Sequence, residues 1–294
     1  MSTIFHRLRI AVLVSLVFAA FPAFTYATHS WNGYHWARGG SLSLKLGDNV
    51  SSAWDGYLAT TSGDWSLSGV LDTTIVAGGT LSNVKRCRPT SGRVEVCTTT
   101  YGNTGWLGVA QIWVSGSHIT QGTVKMNDTY FKTAKYNTVA WRNLVMCQEV
   151  GHTFGLDHQD ETFNNLNLGT CMDYTNYPEG GVHGSIDYGP SNQHPDAHDY
   201  DELAIIYGHG DGTTTVGQMV QNGTGKGKVP PALADIGSDE TVELGTAQWG
   251  RLIRSTNKGR TELYELDLGS GHKILTHVIW ADPEDEPAAQ RGRR

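Results

Sequence analysis

Residues 148–158, QEVGHTFGLDH, constrain the fold more than any other part of the sequence. Side chains four residues apart lie on the same face of a helix, so Gln148 and His152 can approach one ion together. Gly155 is expected to take a left-handed conformation, to end the helix and to turn the chain back. That turn allows His158 to supply a third ligand. The fold must therefore place a helix beside a tight reversal of the chain.

The segment 137–153 has the strongest helical pattern of the chain, and Asn137 is a suitable N-cap residue. One face of this helix carries Trp141, Leu144, Val145, Gln148 and His152. Glu149 is rotated from that face by roughly 100°, which suits a group that contacts a metal-bound water and not the metal. A solvated surface glutamate is the alternative interpretation. Three protein ligands leave the open position that a catalytic zinc ion needs.

These residues resemble the metzincin zinc endopeptidases, whose motif HExxHxxGxxH is followed by a turn that contains methionine. This chain has QExxHxxGxxH, and residues 170–174, TCMDY, match the methionine turn. The resemblance implies that Met172 forms an apolar floor under the metal. It also implies that Tyr174 ligates zinc or stabilises the transition state, with Glu149 as the general base.

Two further segments are similar to the matrixin branch of that family. Residues 105–110 resemble its edge strand, and residues 201–208 resemble its last helix, so the likeness covers about residues 41–208. It implies an α+β catalytic domain with a twisted mixed sheet, an active-site helix and a methionine turn. The function implied is that of a zinc metalloendopeptidase acting on proteins or peptides.

The chain departs from the family pattern at Gln148, where the family has its first histidine ligand. A glutamine ligates only through a neutral amide oxygen, so the affinity for zinc should fall. Six other histidines could replace the missing ligand, although each is more typical of a surface loop: His29, His35, His118, His183, His194 and His198. Two functions therefore stay open, a working peptidase and a catalytically silent binding module on the same scaffold.

Four cysteines, an even number, indicate two disulfides in an exported chain. The sequence alone permits three pairings. Cys87 and Cys97 flank a turn-like segment between strand-like runs, which favours a bridge between them and leaves Cys147 with Cys171. The second bridge would tie the active-site helix to the methionine turn. Metal-binding thiolates are the weaker interpretation because CxxC spacing is absent.

The first 27 residues have the pattern of an export signal, with a basic start, an apolar run and small residues before the cleavage position. The run is shorter than the ~20 residues that a spanning helix needs. We therefore expect a secreted, extracellular monomer without membrane contact after cleavage. The 29 acidic residues outnumber the 22 basic ones, which argues against a nucleic-acid partner.

The rest of the chain divides by composition. The pattern predicts a catalytic domain (28–208), a linker (209–243), a small β unit of three strands (244–282) and a disordered tail (283–294). Inside the domain it predicts strands near 41–46, 70–77, 106–114 and 123–126, and helices near 48–60 and 197–207.

Two minor sites are weighed against plainer interpretations. Trp249, Tyr264 and Trp280 could give the β unit a sugar-binding role but are more typical of a small core. Acidic residues clustered near Asp157 and Asp196 would suit calcium, yet they lack the EF-hand pattern, so solvated loops are the preferred interpretation.

Replacing Gln148 by His should raise zinc affinity and peptidase activity if the chain is a weak enzyme, because an imidazole nitrogen is the better zinc ligand. Zinc retained after dialysis against a chelator, together with hydrolysis of a denatured protein substrate, measures both effects. A silent binding module would gain little in either assay.

Overall fold

The computed structural model describes residues 29–79, 83–217 and 248–282. The predicted export signal, the tail and all of the linker beyond residue 217 lie outside the described residues. The helices are α1 (Asp55–Trp65), α2 (Asp128–Phe131), α3 (Val139–His152) and α4 (Ala197–Ile206). The strands are β1 (His35–Trp36), β2 (Leu42–Asn49), β3 (Leu71–Ala77), β4 (Val94–Thr99), β5 (Trp106–Ser115), β6 (His118–Asn127), β7 (Val182–His183), β8 (Ile186–Asp187), β9 (Arg251–Thr256), β10 (Thr261–Gly269) and β11 (His272–Trp280). Among the described residues, no helix is long and apolar enough to cross a bilayer.

One large sheet organises the molecule, with the strand order β3-β2-β4-β6-β5-β11-β10-β9 and with β1 beside β6. The strands β1, β2, β3, β4 and β6 pair in parallel with one another. From β6 through β5, β11 and β10 to β9, every pairing is antiparallel. The sheet is therefore mixed, and the α+β class expected from the sequence is confirmed.

The burial of each strand follows its place in the sheet. In β2 the side chains of Leu42, Leu44 and Leu46 are buried while Ser43 and Lys45 are exposed, as the alternating pattern predicts. Nearly all residues of β5 and β6 are buried, because both strands lie inside the sheet and α3 packs against them. The core is thus concentrated between α3 and the middle of the sheet.

Two helix starts differ from the sequence prediction. A helix beginning near Asp48 is wrong, because β2 continues to Asn49 in parallel register with β3 and β4, and α1 begins only at Asp55. The N-cap of α3 is Thr138, whose side chain accepts a hydrogen bond from the Trp141 amide at 3.1 Å. Asn137 instead accepts a hydrogen bond from the Arg142 guanidinium.

Both favoured disulfides are present, Cys87–Cys97 and Cys147–Cys171. Cys97 lies in β4 and Cys87 in the turn that precedes it, so this bridge does not staple two strands of a hairpin. The second bridge joins α3 to the segment 170–174. It holds the helix that carries His152 against the loop that carries Met172.

The C-terminal strands extend the main sheet. All nine residues of β11 are in antiparallel register with β5, from His272 opposite Ser115 to Trp280 opposite Trp106. Leu275 and Ile279 of β11 belong to the same apolar core as α3. On the other face, Trp249, Tyr264 and Trp280 pack together with Trp106, which confirms a core role for these aromatic residues.

Gly155→Ala should destabilise the protein more than Gly116→Ala, a matched control. Both glycines have positive φ, +94° and +64°, which costs alanine about 1–2 kcal/mol. At Gly155 a Cβ would also collide with the Tyr34 carbonyl, whereas at Gly116 it would meet open space. We expect a loss of at least about 3 kcal/mol in urea unfolding for Gly155→Ala. Equal losses for the two variants would show that the contact with Tyr34 does not matter.

Candidate metal centre

Three imidazoles converge at the C-terminal end of α3. His152 is the last residue of the helix, His158 follows the left-handed turn at Gly155, and His277 projects from β11. One ligand atom from each ring lies within 4.8 Å of the others. His152 and His277 are fully buried, and His158 is 7% exposed. The sequence prediction of a site at His152 and His158 thus coincides with a closed cluster that contains a third histidine.

Two of the rings are flanked on one side by a polar group and keep a nitrogen for an ion on the other. His152 donates from Nδ1 to the Leu156 carbonyl at 2.9 Å, so its Nε2 has an unshared lone pair. His158 has Nδ1 3.3 Å from Asp157 Oδ1, as in the carboxylate–histidine pairs that support metal ligands. The Nε2 atoms of both rings are buried without a hydrogen-bond partner among the described residues. Such orphaned acceptors fit a cation.

The surroundings favour the neutral form of two of these rings. Burial, and then the neighbouring His158, lower the pKa of His152 well below its usual range. Burial, and then the neighbouring His152 and His158, lower the pKa of His277 well below its usual range. Neutral imidazole is the form that ligates zinc, so these two rings do not need to lose a proton before a metal binds near neutral pH.

Gln148 is buried beside this cluster. Its amide nitrogen donates to the Cys171 carbonyl at 2.9 Å, which fixes the orientation of the amide. Its Oε1 is buried with no hydrogen-bond partner among the described residues. The amide oxygen is thus the atom through which Gln148 could bind an ion. The role of Gln148 as a ligand stays a prediction.

Glu149 is 0% exposed, so the alternative of a solvated helix glutamate is wrong. The side chain lies against β5 where Gly108 provides space, since a Cβ at that position would be 2.8 Å from Glu149 Oε1. Its Oε2 is 3.2 Å from His277 Nδ1. Burial raises the pKa of the Glu149 carboxyl well above its usual range, which is the shift expected of a general base or acid.

Tyr174 reaches the other side of the His277 ring. Its hydroxyl is 2.8 Å from His277 Nε2, and its ring stacks on Phe163. Burial raises the pKa of the Tyr174 phenol well above its usual range, so the hydroxyl keeps its proton. His277 therefore lies between Glu149 and Tyr174, with one ring nitrogen at each.

Met172 packs directly under α3. A Cβ at Gly151 would lie 2.8 Å from the Met172 sulfur, so the glycine next to His152 is what permits this approach. The Met172 amide donates to the Thr170 hydroxyl at 3.0 Å, which tightens the segment. The role of Met172 as a floor under a metal stays a prediction.

Two acidic residues near the cluster, Asp157 and Glu161, are paired with an arginine. Arg254 of β9 donates to Asp157 at 2.7 Å and lies 3.3 Å from Glu161. Although burial raises the pKa of Asp157, the neighbouring His158 and the hydrogen bonds from Arg254 hold it well below its usual range. Asp196 forms a capping box with Asp199 at the start of α4. Arg254 also anchors the C-terminal strands beside His158.

The sequence did not identify His277 as a member of the site. The six histidines considered as substitutes for the missing ligand are not part of this cluster. His29 stacks on His198, His35 contacts His118, His194 pairs with Asp64 and His183 stacks on Tyr177. One pattern could have pointed to His277. It interrupts the apolar strand sequence ILTHVIW, where a buried imidazole requires polar partners.

No protein-family model and no curated protein matches the chain. Among solved structures, it is similar to high choriolytic enzyme 1, a hatching-enzyme zinc protease from the medaka fish Oryzias latipes. That match has 12% identity, covers 60% of this chain and 96% of the other, and has a TM-score of 0.33. Two structures of myroilysin match with 12% and 10% identity, 61% and 60% of this chain, 98% and 86% of theirs, and TM-scores of 0.34 and 0.32. Each TM-score is below 0.5, so these likenesses carry no weight for the function.

His158→Ala should remove one equivalent of bound zinc, because it deletes a ligand with an orphaned nitrogen from the cluster. Plasma mass spectrometry of the purified protein after dialysis measures the metal per chain. His183→Ala is the control, since that ring lies on Tyr177 away from the cluster. An unchanged zinc content in His158→Ala would exclude the ring from the metal centre.

Proposed function

We propose that the chain is a secreted zinc metalloendopeptidase whose active site is closed by its own C-terminal strand. The observation that carries the proposal is the position of His277 between Glu149 and Tyr174. Hydrolysis of a peptide at this site would require both Glu149 and Tyr174 next to the carbonyl of the scissile bond. The strand that supplies His277 therefore occupies the place of a substrate.

A zinc ion fits the donor set. The orphaned Nε2 atoms of His152 and His158 would be two of the donors, and the buried Gln148 Oε1 would be the third. When bound, zinc would acidify a water molecule and polarise the scissile carbonyl. The carboxylate of Asp157, close to His158 Nδ1, would orient that ring and increase its basicity.

The catalytic steps fall to two residues. Glu149 would accept the proton of the attacking water and pass it to the leaving amine, for which its raised pKa is suitable. Tyr174 keeps its phenolic proton and would donate a hydrogen bond to the developing oxyanion. The stacking of Tyr174 on Phe163 holds the ring in place, so little reorganisation would be needed.

The position of β5 determines how a peptide would bind. Gly108 brings this strand next to Glu149, so an extended peptide within reach of the carboxylate would add to the β5 edge by backbone pairing. That edge is already paired with β11, in which His277 lies opposite Ala110 and Ile279 opposite Gly108. Substrate and β11 would therefore compete for the same hydrogen bonds.

Complete burial of the cluster favours a second candidate, the catalytically silent binding module. In that case His277 would exchange one of its two present contacts for a permanent place beside His152, His158 and the Gln148 oxygen, and the zinc site would be structural. A structural zinc site is closed by four protein ligands, whereas a catalytic one keeps a position open. The two candidates differ in what the removal of His277 does.

His277→Ala should retain zinc and increase peptidase activity at least about tenfold, because it frees Glu149 and Tyr174 and weakens the closed form. Hydrolysis of a quenched fluorescent peptide library, with zinc measured in parallel, reports both. His272→Ala, in the same strand but away from the cluster, is the matched control. Adding Glu149→Gln to His277→Ala should reduce the gained activity roughly 10²-fold or more.

Loss of zinc together with absent activity in His277→Ala would identify His277 as a permanent ligand and favour the silent module. Activity that persists after Glu149→Gln would exclude Glu149 as the general base. The His272→Ala control separates these effects from a general weakening of β11.

A further inference from the structure

A second group of ligand-type side chains lies outside the candidate metal centre. His35 is in β1, whereas His209 and Asp211 follow α4. Although His35 lies more than 170 residues before the other two, one ligand atom from each lies within 4.8 Å of the others. His35 is buried, and the Asp211 side chain is only 7% exposed.

The distances match one face of a tetrahedral site. His35 Nε2 is 3.2 Å from Asp211 Oδ1, His209 Nε2 is 3.3 Å from the same oxygen, and the two Nε2 atoms are 3.2 Å apart. Zinc bonds of about 2.0–2.1 Å at tetrahedral angles separate the ligand atoms by about 3.3 Å. A single ion could therefore lie at zinc-bond distance from all three atoms.

The hydrogen bonds around the group prepare its atoms to ligate. His35 donates from Nδ1 to the Gly33 carbonyl at 2.7 Å, so its Nε2 presents a lone pair to the group. Asp211 accepts the Arg38 amide on Oδ2 at 2.8 Å, which leaves Oδ1 for the group. Outer partners of this kind are what orient the ligands of metal sites in proteins.

The charge of the group also suits a cation. Asp211 contributes a carboxylate, which is the negatively charged donor of the group. The Arg38 side chain does not approach it in this arrangement but donates to the carbonyls of Tyr207, His209 and Gly40.

We propose that His35, His209 and Asp211 form a second metal site, for zinc or a similar borderline transition metal. Two imidazoles and one carboxylate are donors that such ions prefer, whereas calcium and magnesium prefer oxygen alone. A water molecule would supply the fourth position. The site would tie β1 to the segment after α4, and the contact of His118 Nε2 with Asp211 Oδ1 at 3.3 Å adds the start of β6.

This site is independent of the peptidase proposal, and the stoichiometry of bound zinc can separate the two. The purified protein is equilibrated with buffered zinc, dialysed and analysed for metal per chain. We expect about two zinc ions in the unmodified protein, one in His209→Ala, one in His158→Ala and none in the double variant, as expected for two separate sites. His209 is half exposed, so its removal should not unfold the protein.

His194→Ala is the matched control, because that histidine is also half exposed and paired with a carboxylate, that of Asp64. Its zinc content should equal that of the unmodified protein. Asp211→Asn keeps an oxygen for the Arg38 amide but loses the charge. Mutation of a residue that only orients a ligand lowers metal affinity roughly 10–100-fold, so the loss of zinc affinity in Asp211→Asn should be at least as large. Substitution with cobalt should give the visible absorption of a tetrahedral site, reduced by half in His209→Ala.

Equal zinc content in the unmodified protein, His209→Ala and Asp211→Asn would overturn the proposal and leave a hydrogen-bonded histidine–aspartate cluster. The proposal would also be overturned if His194→Ala lost as much zinc as His209→Ala, because that result would indicate nonspecific binding to surface histidines. If the peptidase centre binds no metal, the unmodified protein should contain one zinc ion and His209→Ala none. The two proposals therefore fail in different ways.

Discussion

The pairing of β11 with β5 is the interaction on which the site depends. Nine residues in antiparallel register place the C-terminal strand along the edge nearest to Glu149. The same pairing inserts His277 between Glu149 and Tyr174 and buries the polar cluster below it. Without β11, the edge of β5 would present unpaired backbone groups beside an open site.

Burial gives this cluster its chemical character. A buried polar atom without a partner costs about 1–3 kcal/mol, and several such atoms surround His152 and His158. That cost is tolerated where an ion or a reacting group satisfies the atoms, which is why an unsatisfied cluster inside a well-packed core indicates function. The disulfide Cys147–Cys171 and the close packing of Met172 on Gly151 make the surroundings rigid enough to maintain it.

The two histidine clusters share a principle of construction. In each, a ring donates through one nitrogen to a backbone carbonyl, that of Leu156 for His152 and that of Gly33 for His35. The other nitrogen then carries a lone pair directed away from the backbone. Each cluster also joins segments that are distant in the sequence. Bringing such segments together costs chain entropy, and a bound metal would help to offset that cost.

The sequence by itself determined the local features. Helical periodicity and the glycine at position 155 predicted α3 and the reversal after it, and the patterns of β2, β5 and α4 predicted those elements to within a few residues. Only the tertiary structure decided that a strand more than 120 residues after α3 brings His277 to Glu149. It also decided that Glu149 is buried and that His35 meets Asp211. Local periodicity depends on neighbours within a few residues, whereas strand pairing across the sheet depends on the packing of the whole chain.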